Sequence, residues 1–191
     1  MPNYRRRNIA GGTYFFTVVT ENRRGFLCTD PARSILHDAI ADCLRERPFD
    51  PVAMVLLPDH LHAIWTLPAG DADFSGRWAR IKAIFTRDWI RHGGEEQEQS
   101  FSRLRHRRRG VWQRKFWEHH IRDERDYEKH LNYLHYNPVK HKLAKCPHEY
   151  GFSTFGKWVN QNVYEPTWCC GCDGRVAEPP CFDGLNETAM E

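Results

Sequence analysis

The 191-residue chain predicts an α+β fold, a ferredoxin-like split βαβ antiparallel sheet with an added C-terminal helix. Three observations predict it. The segments read strand, helix, strand, strand, helix, strand in order. Only Pro58-Asp59-His60 separates the two middle strands, too short for a crossover, so they pair antiparallel. A third helical segment follows the fourth strand, and the sheet face left uncovered by the first two helices, or its edge, is where it can pack.

Each element has its own signal. Residues 13–20, Thr-Tyr-Phe-Phe-Thr-Val-Val-Thr, are aromatic and β-branched and follow the Gly11-Gly12 turn. Residues 30–45 form the first helix, with Asp30 as N-cap, Pro31 at the first helical position, and Ile35, Ala39, Ile40 and Cys43 at helical spacing; Pro48 ends it. Residues 52–57 and 61–67 are the hairpin strands. The second helix covers 75–91, with Trp78, Ile81, Ile84, Phe85 and Trp89 on one face. Residues 93–110 are charged and poor in apolar groups, and read as a loop. A fourth strand over 111–121 and a third helix over 123–136 follow, with Pro138 expected to stop the helix. Residues 1–158 are expected to form one domain, and 159–191 a loosely ordered Cys-rich acidic tail.

Composition narrows the function. The net charge of +3 divides unevenly, because residues 151–191 carry −4 and residues 1–150 carry +7. A basic body suits a polyanion, although a solvated surface gives the same balance. The sequence has no long apolar run and no apolar stretch behind its arginine-rich start, so neither a membrane span nor a signal peptide is expected. The expected location is therefore the cytoplasm. Seven cysteines, an odd number, suggest reduced thiols. Cys169-Cys170-Gly171-Cys172 and Cys181 lie in the tail, but C-x-C is tighter than usual zinc spacing and the sequence offers no matching second pair. An acidic tail is also able to lie over a basic groove and inhibit it.

The sharpest local signal is His60-Leu61-His62. Residues two apart in a strand share a face, so both imidazoles project together while Leu61 points into the core. Such a pair chelates a divalent ion if it has partners, and is a pair of surface histidines if it does not. Tyr133 and Asn137 are spaced i, i+4 and share a helix face. Asn137 offers a carbonyl oxygen to Mg²⁺ or Mn²⁺, and Tyr133 a nucleophile one turn away. Spacing alone favours a core tyrosine and a C-terminal cap before Pro138.

The run Leu57-Pro-Asp-His-Leu-His-Ala-Ile-Trp-Thr-Leu-Pro68 resembles the HUH signature of single-tyrosine transposases. Phe116-Trp-Glu-His-His-Ile-Arg-Asp123, Tyr127 and Asn132-Tyr-Leu-His-Tyr-Asn-Pro-Val-Lys-His141 resemble the tyrosine-helix region of one branch, the REP-associated tyrosine transposases. Tyr4-Arg-Arg, Gly11-Gly-Thr-Tyr-Phe-Phe-Thr17 and Phe152-Ser-Thr-Phe155 are similar to the same branch, and the resemblance spans about residues 3–168. It implies an HUH endonuclease-like fold, with His60 and His62 as metal ligands, Asn137 as the helper ligand where relatives often carry Gln, and Tyr133 as the catalytic tyrosine. Tyr127 lies off the Tyr133 face, and Tyr136 neighbours Asn137 without stacking over it.

The implied reaction is metal-dependent cleavage and rejoining of single-stranded hairpin DNA through a 5′-phosphotyrosine. No nucleotide is consumed, in keeping with the lack of a G-x-x-x-x-G-K-[ST] loop. The implied partner is a REP-like hairpin with a short flanking guide sequence. Tyr4, Arg5 and Arg6 are candidate DNA contacts, more so than Arg103, Arg105, Arg107 and Arg108 of the basic loop, which also reads as a solvated run. A monomer in the bacterial cytoplasm, near the nucleoid, is expected rather than a dimer. The rival reading is a hairpin-binding protein derived from a transposase that no longer cuts. An HUH replication initiator or relaxase would be expected to carry further domains.

Overall fold

A computed structural model describes residues 8–97, 109–172, 179–183 and 185. Its sheet has strands β1 (Thr13–Val19), β2 (Asp50–Leu56), β3 (His60–Thr66) and β4 (Trp117–His120) in the order β2-β3-β1-β4. All neighbours are antiparallel. Helices α1 (Asp30–Glu46) and α2 (Phe74–Arg91) make the two crossovers, which gives the expected ferredoxin-like order. Helix α3 (Glu124–Lys140) follows β4, and the short α4 (Phe155–Asn160) closes the far side.

Alternation along β1 and β3 makes two cores. Tyr14, Phe16, Val18, Leu61, Ala63 and Trp65 face α1 and α2, where Trp65 stacks on Trp78 at 4.1 Å. Phe15, Ala53, Val55, Leu57 and Ile64 face the other way, against Leu131, Tyr133 and Leu134 of α3. The strand period of two thus decides which helix each side chain meets. Apolar burial of this kind contributes roughly 1.5–3 kcal/mol per large side chain.

Three local expectations need correction. Pro138 does not stop α3, which continues to Lys140. A proline forfeits one bond to the carbonyl four residues back, yet the bonds from the His141 amide to the Asn137 carbonyl (2.9 Å) and from Leu143 to Pro138 (2.8 Å) survive. Asn137 therefore lies inside the helix, and His141 caps it. The fourth strand is shorter than residues 111–121. Trp112 bridges Thr20 and Gln113 bonds the Val19 carbonyl, but the exposed Arg114 and Lys115 interrupt the ladder. Tyr164 and Trp168, in the segment expected to be loose, pack in the second core; Trp168 stacks on Phe155 at 5.9 Å. Their aromatic area outweighs the polar composition around them. Among the described residues, no helix is long and apolar enough to cross a membrane.

One buried histidine makes the fold sensitive to acid. His130 on α3 is 1% exposed, and its Nδ1–H donates to the Asp126 carbonyl at 2.8 Å. Burial pushes its pKa down to about 4, with His119 acting in the same direction; the bond to Asp126 opposes without cancelling. Because the folded value lies below the unfolded one, this histidine stabilises the fold fully above a pH of roughly 6.5. That contribution is lost as pH falls toward 4, with a slope approaching ~1.4 kcal/mol per pH unit. We expect His130→Gln to lessen the fall in melting temperature between those limits without abolishing it, because buried His135, held at about 3, titrates over the same window. An equally steep dependence in the variant would exclude His130 as its origin.

Candidate active site

His60 and His62 open β3 and point to the α3 side of the sheet, opposite Leu61. Register explains the support each receives. His62 is paired across the strands with Thr17, and Thr17 Oγ1 lies 2.9 Å from His62 Nδ1. His60 Nδ1–H donates to Asp59 Oδ1 at 2.7 Å, and Asp59 in turn holds Arg23 at 2.9 Å. Burial alone would raise the Asp59 carboxyl, but His60 and Arg23 outweigh it and hold it at about 2. A carboxylate on Nδ1 fixes the proton there, so the Nε2 lone pair of His60 is the one available to a ligand.

Helix α3 lays one face across this pair. Tyr133, Asn137 and His141 recur every four residues along it. The Tyr133 ring lies 5.5 Å from His62, and the His141 ring 5.4 Å from His60. Asn137 sits between them on the same face, fully buried. Both Asn137 amide atoms and His60 Nε2 are buried and have no hydrogen-bond partner among the described residues. Buried polar atoms are almost always paired, so these mark a place built for something else. An imidazole nitrogen and an amide oxygen suit a divalent cation.

Lys140, which is not among the site residues expected from the sequence, completes the face. It lies seven residues, or two turns, beyond Tyr133, and that i, i+7 spacing was the available signal. Its Nζ donates to Tyr133 Oη at 3.3 Å and lies 4.7 Å from the ring centre. The histidines nearest Tyr133 in sequence serve elsewhere. His130 stacks on His119 at 4.4 Å, and His119 donates to Asp126 at 2.8 Å. His135 turns toward Thr154 (3.1 Å) and Tyr164 (3.4 Å), and burial depresses its pKa to about 3. Tyr127 packs toward Trp158.

The C-terminal segment also reaches this site. The Phe182 ring meets Tyr133 edge-on at 5.4 Å and Tyr136 at 5.9 Å, and Lys129 Nζ donates to the Asp183 carbonyl. Tyr4, Arg5, Arg6, Arg103, Arg105, Arg107 and Arg108 lie outside the described residues.

Paired histidines on the third strand of a ferredoxin-like sheet, faced by a buried tyrosine helix, define the single-tyrosine HUH class of fold. Comparison with known proteins narrows this. The chain is 43% identical over 168 residues to the REP-associated tyrosine transposase of Escherichia coli strain K12, spanning 88% of this chain and 91% of that protein. A relative from Haemophilus influenzae, assigned to the same family, is 38% identical over 168 residues, spanning 88% and 93%. The solved structure of a REP-associated tyrosine transposase bound to a REP hairpin matches with a TM-score of 0.77 at 38% identity, covering 100% of this chain and 98% of that one. No family model matches the chain. The chain belongs to the REP-associated tyrosine transposase family.

Proposed function

We propose that this chain is a metal-dependent endonuclease and strand transferase for single-stranded hairpin DNA, acting through a 5′-phosphotyrosine. One observation carries the reading. The Tyr133–Asn137 face of α3 meets the His62–His60 pair, with polar atoms of His60 and Asn137 buried and without a hydrogen-bond partner among the described residues. His60, His62 and Asn137 would hold Mg²⁺ or Mn²⁺, which when bound polarises a phosphate oxygen. Tyr133 Oη attacks the phosphorus; a new P–O bond forms as the bond to the 3′-oxygen breaks, and the departing 3′-oxygen gains a proton as the phenol loses one, leaving a free 3′-hydroxyl. Lys140 stabilises the negative charge that Oη carries in attack, and again when the tyrosine departs in rejoining. A DNA 3′-hydroxyl reverses the step, so bond energy is conserved and no nucleotide is needed.

The partner is a REP-like hairpin with a flanking guide sequence, in keeping with the hairpin held by the solved relative. Tyr4, Arg5 and Arg6, then Arg103, Arg105, Arg107 and Arg108, are the proposed DNA contacts, with the protein working as a monomer in the bacterial cytoplasm. The test is a labelled hairpin with its native flanks, incubated with protein and Mg²⁺ or Mn²⁺, or with EDTA. We expect a covalent protein–DNA adduct that EDTA prevents. Tight hairpin binding with no adduct under any metal would instead make this a hairpin-binding protein that does not cut.

Thr17 gives a second test of the metal reading. Thr17→Val keeps the side chain's shape and removes the bond to His62 Nδ1. Losing a partner that orients a ligating histidine weakens metal affinity by roughly 10–100-fold. The metal concentration giving half-maximal adduct should rise accordingly. An unchanged requirement would show that Thr17 does not orient the ring.

A further inference from the structure

A second cluster of metal-ligating side chains lies apart from the histidine pair, at the far end of the loop that follows α3. The odd cysteine count predicts reduced thiols, and the sequence offers no partner pair for the cysteines of the tail. The fold supplies one. Cys146 and His148 sit at a single helical turn, Pro147–Glu149, and the tail returns Cys170 and Cys172 to the same spot. Backbone pairing fixes the approach, because the Gly171 amide donates to the Lys145 carbonyl at 2.9 Å. Ligand atoms of Cys146, His148 and Cys170 lie within 4.8 Å of one another, as do those of Cys146, Glu149 and Cys172. Cys146 and Cys170 are joined as a disulfide, and Cys172 Sγ lies 2.7 Å from Cys146 Sγ.

We propose that Cys146, His148, Cys170 and Cys172 form a structural zinc site in the reduced protein. A disulfide uses two of these four groups; Cys172 Sγ also donates to Glu149 Oε1 at 3.4 Å, and the disulfide does not account for the convergence of Cys172 and His148 on the same spot. A tetrahedral ion uses all four, with thiolates at about 2.3 Å and an imidazole nitrogen at about 2.0 Å, the Cys₃His set of structural zinc centres. The spacing also becomes regular. C-x-H from one segment meets C-x-C from another, so each two-residue step places two donors on one side of the ion. Reduction of the Cys146–Cys170 bond by a cellular thiol supplies two electrons and two protons. Zn²⁺ then displaces the three thiol protons, leaving a centre of net charge −1. Glu149 Oε2 accepts the Lys145 amide at 3.1 Å and its Oε1 accepts from Cys172 Sγ at 3.4 Å, so Glu149 holds Cys172 in place beside the proposed ion.

The placement gives the site a purpose. It fastens the root of the tail to the loop behind α3, and the same tail brings Phe182 against Tyr133. The donors do not overlap the histidine pair, so the site is independent of the catalytic reading above.

The test is metal content of the full chain, purified with a phosphine reductant and supplied zinc, then dialysed. One zinc per chain is expected, with wild-type retention in His60→Ala/His62→Ala and in Cys28→Ser. Zinc should fall at least tenfold in Cys170→Ser/Cys172→Ser, whose thiols are only partly buried, so that the fold survives. His148→Ala should lose more zinc than Glu149→Gln. Cobalt in place of zinc should give a thiolate-to-metal charge-transfer band, absent in the Cys170→Ser/Cys172→Ser protein. Two results overturn the proposal: a reduced wild-type protein that retains no zinc, or zinc that leaves with the His60/His62 variant and stays in the cysteine variant.

Discussion

Tyr133→Phe should abolish the covalent adduct while leaving hairpin binding intact. The substitution removes one oxygen from a fully buried ring. The ring keeps its contacts with His62 (5.5 Å), Phe15 (6.1 Å) and Phe182 (5.4 Å), so the fold has little reason to change. The bond from Lys140 is lost, which costs about 1 kcal/mol of stability at most. The effect on chemistry is far larger, because no other group takes the place of a missing nucleophile. A fall of 10⁴-fold or more, on the order of that seen when an activated nucleophile is deleted, is expected in the rate of adduct formation. Tyr136 is the rival, since it also touches Phe182, but it lies about 100° around the helix from Asn137, whereas Tyr133 lies about 40° from it. An adduct forming at the wild-type rate in the Tyr133→Phe protein would move the nucleophile to Tyr136 or elsewhere. The adduct is measured on denaturing gels, and hairpin affinity on the same preparation.

Much of this arrangement is legible in the sequence because it rests on short periods. Alternation in residues 13–20 and 60–66 assigns each strand residue to a face, and so places His60 and His62 together. The i, i+4 relation of Tyr133 and Asn137 needs only the helical repeat. What was not legible depends on long-range pairing. Thr17 supports His62 because β1 and β3 adopt one particular register, which no local window contains. Cys146 meets Cys170 only once the chain has folded back across 24 residues. Phe182 reaches Tyr133 by the same return. Pro138 misled for a different reason, since a local rule about proline was overridden by the packing of α3 on the sheet and by the bonds retained beyond it.

Asn137→Leu should lower activity and raise the stability of the metal-free protein. Leucine matches the branched outline of asparagine but brings no polar atoms. Among the described residues, neither buried amide atom of Asn137 has a hydrogen-bond partner. Each such atom costs roughly 1–3 kcal/mol in lost hydration. Removing them should stabilise the fold by about 1 kcal/mol after some repacking strain, or a rise of roughly 2–4 °C in melting temperature for a chain of this size. Adduct formation should fall by about 10²-fold or more, because a ligand oxygen has gone. Saturating Mn²⁺ should then reverse the order of stability. The wild type gains from binding according to the ratio of metal concentration to its dissociation constant, and the variant gains little. Melting curves in EDTA and in Mn²⁺ read both signs from one pair of proteins. A variant that melts lower than wild type in EDTA would show that Asn137 is satisfied within the fold. The site would then not be a place where stability is given up to keep a ligand oxygen ready.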